Sequence, residues 1–272
     1  MTDHDTHVRT EFSRQAEAMS KATIFNDETV LARIRDAVLL SPDTHALDIA
    51  CGPGIIAEAL ARGAREVVGC DITPRMLEMA RERCARAGLS NVRFVPGRAE
   101  ALPFEDGEFD AVVSRSAVHH FTDPVAAFRE MTRVVRKGGR VVTVDVMSSE
   151  SPHEAQLHNA LETIRDPSHV RMLPKAELHS ALAAAGLAIE SCNVWINRRE
   201  YEEWMKIMGA PERIAPLKVV MTALARGSIR AGIGLRIEDD RIRFEHTAGL
   251  TVAIRSRGSG LYLIDENYKV KA

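Results

Sequence analysis

No apolar run in this chain of 272 residues approaches the ~20 needed to cross a bilayer, so no membrane span is expected. Cysteine is scarce. Cys51, Cys70, Cys84 and Cys192 are scattered, with no close pair at metal-ligand spacing, which points to reduced thiols in a cytoplasmic protein. The histidines form no ligand pattern either, so no metal is expected. Charge of one sign is also lacking: a net charge of -2 gives no electrostatic reason to expect nucleic acid or a membrane surface as partner. The polar, acidic start Met1-Thr2-Asp3-His4-Asp5 is unlike a signal peptide. There is no internal repeat and no low-complexity segment. The length suits one substantial α/β domain with insertions, or two small ones.

What is present is an alternation. Helical spacing runs from about Val8 to Met19 and from Glu28 to Leu40, closed by Ser41-Pro42-Asp43. Short β-rich runs follow at His45–Ala50, Glu66–Cys70, Val92–Val95, Phe109–Val113 and Arg140–Val146. Helices are expected between them near Ile55–Arg62, Pro74–Ala87 and Pro124–Val135. Thr73 and Thr122 or Asp123 stand at N-cap positions before prolines, and Gly88 and Gly138-Gly139 stand where helices stop. Strands and helices at this spacing mean βαβ units and a parallel sheet with right-handed crossovers. Beyond them, Lys175–Ala185 reads as a helix, Leu187–Ile196 as a strand and Thr247–Ser256 as a last strand. The polar stretch Arg198–Asp240 reads as an insertion over the ligand edge, without a core of its own.

Ligands on such sheets bind at the carboxyl ends of the strands. Asp48–Gly54, Asp71, Gly97–Glu100 and Ser114–His120 all lie at such ends and should face one crevice. In Leu47-Asp48-Ile49-Ala50-Cys51-Gly52-Pro53-Gly54, glycines at the strand–helix turn permit close approach of a ligand to the backbone. The second strand delivers Asp71, a carboxylate placed for two ribose hydroxyls. Gly52-Pro53-Gly54-Ile55-Ile56-Ala57 also fits a dinucleotide pattern with alanine in the last place. However, Asp48 would repel a pyrophosphate and suits a cationic group. S-adenosylmethionine, with an ammonium, a sulfonium and a ribose but no phosphate, matches this charge pattern better.

These residues and several later ones carry a specific resemblance. They include Gly69-Cys70-Asp71-Ile72-Thr73-Pro74-Arg75-Met76-Leu77, Gly97-Arg98-Ala99-Glu100-Ala101-Leu102-Pro103-Phe104, Phe109-Asp110-Ala111-Val112-Val113-Ser114, Val118-His119-His120-Phe121 and Arg133–Arg140. In this order and spacing the chain resembles the class I S-adenosylmethionine-dependent methyltransferases, in particular the small-molecule branch similar to the ubiquinone and menaquinone biosynthesis methyltransferases.

The resemblance implies an α/β, Rossmann-like fold: a seven-stranded, mostly parallel sheet of order 3-2-1-4-5-7-6 with helices on both faces and a helical lid insertion. It implies one domain over 1–257, with N-terminal helices (1–40) covering the cofactor and a cofactor-binding core (41–147). Acceptor-side helices and the sixth strand (148–197), the lid (198–246) and the last strand (247–257) complete it, and a poorly ordered tail (258–272) follows. It places Phe12, Gln15, Asp48, Ala50, Gly52, Gly54, Asp71, Ile72, Met76, Arg98, Ala99, Glu100 and Ser114 against S-adenosylmethionine, which leaves as S-adenosylhomocysteine. One position departs from the pattern. The family carries an aspartate for the adenine amino group where this chain has Arg98, which cannot accept a hydrogen bond. Glu100 or a backbone carbonyl replaces it, or Arg98 stacks on the ring.

Methyl transfer is an in-line displacement, so the enzyme has to align the acceptor and exclude water. An O–H or N–H acceptor also needs a base, and His119 and His120 are the best placed, His119 first. Asp145 is expected to be a buried, hydrogen-bonded carboxylate and Cys51 a space-filler. The segment Asp166–Arg171 either borders the acceptor pocket or is a simple turn. Trp204, Met205, Met208 and Met221 are core or line an apolar acceptor site. The implied function is methyl transfer to an O, N or C atom of a small, cyclic or aromatic metabolite. The alternatives are an S-adenosylmethionine-binding accessory protein without transfer and a dinucleotide-dependent oxidoreductase.

Overall fold

The computed structural model describes residues 2–256; the tail expected at 258–272 lies outside them. Two helices, α1 (Asp3–Lys21) and α2 (Glu28–Ala37), precede the sheet. Next come β1 (His45–Ile49), α3 (Ile55–Ala61), β2 (Glu66–Asp71), α4 (Pro74–Arg86), β3 (Val92–Pro96) and β4 (Phe109–Arg115). The chain continues through α5 (Pro124–Val134), β5 (Val135–Met147), α6 (Pro152–Arg165), α7 (Lys175–Ala184) and β6 (Leu187–Glu200). It ends with α8 (Tyr201–Met205), α9 (Pro211–Arg226), β7 (Arg236–Glu238) and β8 (Arg241–Arg255).

The sheet order is β3-β2-β1-β4-β5-β8-β6, the expected order with β8 as its seventh strand. The first five strands pair in parallel, and β8 runs antiparallel to both β5 and β6. An eighth strand, the short β7, pairs with β8 as a hairpin. Adjacent residues on a strand face opposite sides. Leu47, Val68 and Val112 join one apolar layer with Phe128, Met131 and Leu182. Their neighbours Ala46, Val67 and Val113 join the other with Ile34, Ile56 and Leu60. Burial on both faces is why these strands read as continuous apolar runs. No helix among the described residues is long and apolar enough to cross a membrane.

Three local expectations are corrected. The first helix starts at Asp3 rather than Val8, because Thr2 and Asp5 form a capping box: the Asp5 N–H donates to Thr2 Oγ1 and the Thr2 N–H to Asp5 Oδ2. Helix α5 stops at Val134, before the glycines: Asp123 accepts the Ala126 N–H at its start, and Val135 is already extended. The insertion does have a core of its own. Tyr201, Trp204, Met205, Met208, Leu217, Met221 and Phe244 pack together with Leu161 of α6. They sit on a two-stranded arm where β8 residues 243–246 pair with β6 residues 197–200 beyond the last partner of β5.

Candidate active site

The carboxyl ends of β1, β2 and β4 open into a cleft covered by α1. Of the expected cofactor residues, Phe12, Asp48, Ala50, Gly52, Asp71, Ile72, Met76, Arg98, Ala99 and Glu100 line it. Three do not. Ser114 is buried under the floor, because β4 continues to Arg115; Arg115, Ser116 and Ala117 line the cleft instead. Gln15 turns to a second cavity, where its amide donates to Asp166 at 3.1 Å. Gly54 serves helix packing: its φ is +79°, and a Cβ there would lie 2.8 Å from the Cβ of Ala80 on α4. Gly54→Val should therefore cost about 1–2 kcal/mol in backbone conformation and about 1–3 kcal/mol in overpacking, read as a lower midpoint in urea unfolding.

Asp48 and Asp71 set the electrostatics. Asp48 Oδ2 accepts the Ala57 N–H at 3.0 Å, placing a carboxyl at the amino end of α3. Burial, with the Asp71 charge adding to it, pushes Asp48 up to about 8. Asp71 accepts the Gly52 N–H at 2.9 Å and the Thr73 N–H at 2.7 Å, which ties the glycine turn to the end of β2. Burial raises Asp71 as well, against those donors. Cys51 is buried in the same wall with its thiol pushed well up, chiefly by burial, which disfavours the reactive thiolate.

Arg98 neither stacks freely nor stands alone. Its Nη1 lies 2.5 Å from Asp5 Oδ2, and its Nη2 lies 3.6 Å from Glu100. The departure at Arg98 thus brings a carboxylate from α1 to the rim of the cleft and clasps that helix over it. His4 and Asp5, which line the cleft, were missed because the helix was expected to begin later, although Thr2-x-x-Asp5 is a capping-box pattern; Val8 lines it too. Arg115 was also missed. Its guanidinium donates to the carbonyls of Ile24 and Phe25 and pins the 22–27 loop beside the cleft.

A second cavity, of about 420 Å³, adjoins the first and shares Phe12, Met19, Phe25, Arg115, Ser116 and His120 with it. His119 lines this second cavity only. Its Nδ1 lies 2.6 Å from Asp145 Oδ1, while the other Asp145 oxygen accepts the N–H groups of Ala117 and Val118. Asp145 is buried and its pKa is lowered: burial opposes this, but the His119 partner and backbone N–H groups prevail. An ionised carboxylate only accepts, so Nδ1 carries a proton, and in the neutral imidazole Nε2 keeps its lone pair. Burial by itself would depress His119, yet Asp145 outweighs it and the net direction is up. His120 has a different environment. Burial and the neighbouring His119 hold it at about 4, its Nδ1 lies 2.9 Å from the Ser168 carbonyl, and the Phe12 ring meets it edge-on.

The segment 166–171 is a turn that also reaches the cavity. The Val170 and Arg171 N–H groups donate to the His119 carbonyl, and Asp166 lines the wall. Trp204 faces the cavity, whereas Met205, Met208 and Met221 are core of the insertion. One cluster was not legible from spacing: the side chains of His158, Glu162 and His246 converge, with their ligand-capable atoms within 4.8 Å of one another.

A family model described as a methyltransferase domain matches residues 47–143, from the middle of β1 to the middle of β5. The methyltransferase YcgJ of Bacillus subtilis (strain 168), itself uncharacterized, is 36% identical over 208 residues, covering 74% of this chain and 80% of the relative. A crystal structure of YcgJ superposes with a TM-score of 0.79 at 32% identity, covering 85% of this chain and all of that one. The demethylmenaquinone methyltransferase of Clavibacter sepedonicus is 29% identical over 211 residues, covering 77% of this chain and 83% of the relative. With the expected strand order, the glycine turn and Asp71 in place, the chain belongs to the class I S-adenosylmethionine-dependent methyltransferases.

Proposed function

We propose that this protein transfers a methyl group from S-adenosylmethionine to a hydroxyl or N–H of a small cyclic or aromatic metabolite in the cytoplasm, with His119 as general base. The observation that carries this reading is the Asp145–His119 pair, which presents an imidazole to a cavity adjoining the cofactor cleft.

The cleft suits the methyl donor. A pyrophosphate would need the amino end of α3, and Asp48 already fills it, bonded to the Ala57 N–H. Asp48 and Asp71 are instead two carboxyls for a ligand that carries positive charge and ribose hydroxyls, and Ile72, Met76 and Ala99 offer apolar contact for a base. Arg98 acts as the clasp to Asp5, and Phe12 and Met19 close the methionine end from α1. S-adenosylmethionine supplies a methyl group on a sulfonium that is already an activated leaving group.

The chain's own residues then have three tasks. Phe12, Phe25 and Ser116 stand where the two cavities meet and position the acceptor there. His120, neutral and bonded to the Ser168 carbonyl, walls the junction. His119 takes the acceptor's proton at Nε2, and the resulting imidazolium is stabilised by Asp145, the orienting arrangement known for histidine bases.

The pH dependence follows. A base must be unprotonated, and the His119 pKa is raised above the ordinary value of about 6.5. Activity should therefore rise with pH through a limb above that value. Asp145→Asn removes the charge that raises His119, so the limb should move to lower pH while kcat falls. An unmoved limb in the pH–rate profile would mean that Asp145 does not tune the base. A simpler binding test separates the cofactors. Thermal unfolding should be delayed by S-adenosylhomocysteine and unaffected by nicotinamide or flavin dinucleotides; the reverse pattern would refute the methyl-donor assignment.

A further inference from the structure

In and beside the acceptor cavity, four buried nitrogens make no hydrogen bond: Arg165 Nε, Arg199 Nε, His158 Nε2 and His246 Nε2; the two histidine nitrogens face Glu162 at 3.9 and 3.4 Å. Three of these side chains, Arg165, Arg199 and His246, line the cavity itself. Their placement follows from the two-stranded arm. Asn197 pairs directly with His246, and Trp195 with Ala248. Residues two apart on β6 share a face, so Trp195, Asn197 and Arg199 present one surface, and all three line the cavity. Arg165 comes from the end of α6, stacked over Trp204 with its guanidinium carbon 4.4 Å from the ring centroid.

Six carboxylates and five guanidinium or ammonium groups line the cavity, so what matters is which of them are already paired. Most of the carboxylates lining the cavity are already engaged. Asp145 holds His119, Asp166 bonds Gln15 and Ser168, Glu200 pairs with Arg241, and Glu162 pairs with Arg165 at 3.3 Å. Arg199 makes no hydrogen bond or ion pair among the described residues, although its Nε is buried. Arg199 is half-buried, so part of its guanidinium is withdrawn from water without an acceptor, and its planar fork matches an oxyanion bidentately.

We propose that Arg199, with Arg165 and His246 beside it, forms the subsite for an oxyanion on the methyl acceptor, a carboxylate or a phosphate. This rests on the methyltransferase reading only in naming the ligand as the acceptor. The aromatic surfaces of Trp195 and Trp204 would flank the body of the molecule. Its reacting O–H or N–H would lie by His119 and Ser116. A divalent metal on His158, Glu162 and His246 is the rival use of the same corner. The anion is favoured because Glu162 is already paired with Arg165, while the guanidinium of Arg199, with Glu162 and Glu203 near it, donates to none of the described residues.

Calorimetric titration of the protein saturated with S-adenosylhomocysteine tests this with three probes of similar body: benzoate, phenyl phosphate and neutral benzamide. At least one anion should bind about tenfold or more tighter than benzamide, the scale of one charge-assisted contact. The tighter of the two anions names the group. Arg199→Gln should erase the preference and Arg199→Lys should keep part of it, with S-adenosylhomocysteine binding as the check that each variant is folded. Equal binding of anions and benzamide, no binding of either anion, or a preference that survives Arg199→Gln would overturn the proposal. So would stoichiometric Co²⁺ uptake, followed by its visible absorption, that is lost in His246→Ala and indifferent to benzoate. The anion titrations repeated without S-adenosylhomocysteine keep the two readings apart: loss of cofactor binding by the wild-type protein would refute the methyl-donor assignment and leave the subsite result standing.

Discussion

Replacing His119 by glutamine should lower kcat by about 10²–10⁴-fold, the usual contribution of a general base, while leaving the affinity for S-adenosylhomocysteine unchanged. The separation is expected because His119 lines the acceptor cavity but not the cofactor cleft. Glutamine keeps a polar side chain of similar reach beside Asp145 but cannot take a proton at neutral pH. Single-turnover transfer and calorimetric binding, measured on the same preparation, read the two quantities. A parallel loss of both would make His119 a structural residue whose ring only holds the loop. The Asp145 contacts to the Ala117 and Val118 N–H groups already do much of that work.

Asp71→Ala should weaken binding of S-adenosylhomocysteine by about two orders of magnitude or more. Two losses combine. The carboxylate would no longer meet the ribose hydroxyls, and the N–H groups of Gly52 and Thr73 would lose their shared acceptor in a buried setting. Each orphaned buried donor costs about 1–3 kcal/mol of folding stability, and its effect on affinity comes only through the looser glycine turn. Asp71→Asn keeps the shape and one carbonyl acceptor, so it should recover part of the affinity. Equal losses in the two variants would show that the charge of Asp71 matters and its backbone contacts do not.

The cofactor half of this site was legible because it is local. The glycine turn, Asp48 and Asp71 sit at strand ends whose order follows from alternating apolar runs and helices, and right-handed crossovers then bring those ends together. Boundaries were less legible where a side-chain contact decides them. The capping box at Thr2 and Asp5 adds the first turn of α1, and that turn carries the carboxylate that engages Arg98. Ser114 was misplaced for a similar reason: β4 runs on to Arg115, and the exposed positions shift with it.

The acceptor half was the least legible. Its walls come from α1, α6, β6 and β8, segments far apart in sequence. Neither the pairing of Asn197 with His246 nor the approach of Arg165 to Trp204 leaves any local pattern. The insertion's core is hidden for the same reason, since Tyr201, Met221 and Phe244 meet only after the arm of β6 and β8 has formed. His119 and Asp145 lie 26 positions apart on neighbouring strand ends, so their pairing needed the sheet.

The most direct measurement is transfer of label from methyl-labelled S-adenosylmethionine in the presence of a small-molecule metabolite extract. Label should appear in a low-molecular-weight product and not in protein or nucleic acid, with a rate that climbs with pH through the His119 limb. Tight binding of the donor with no label leaving it, or label found only in macromolecules, would contradict the assignment of a small-molecule methyltransferase.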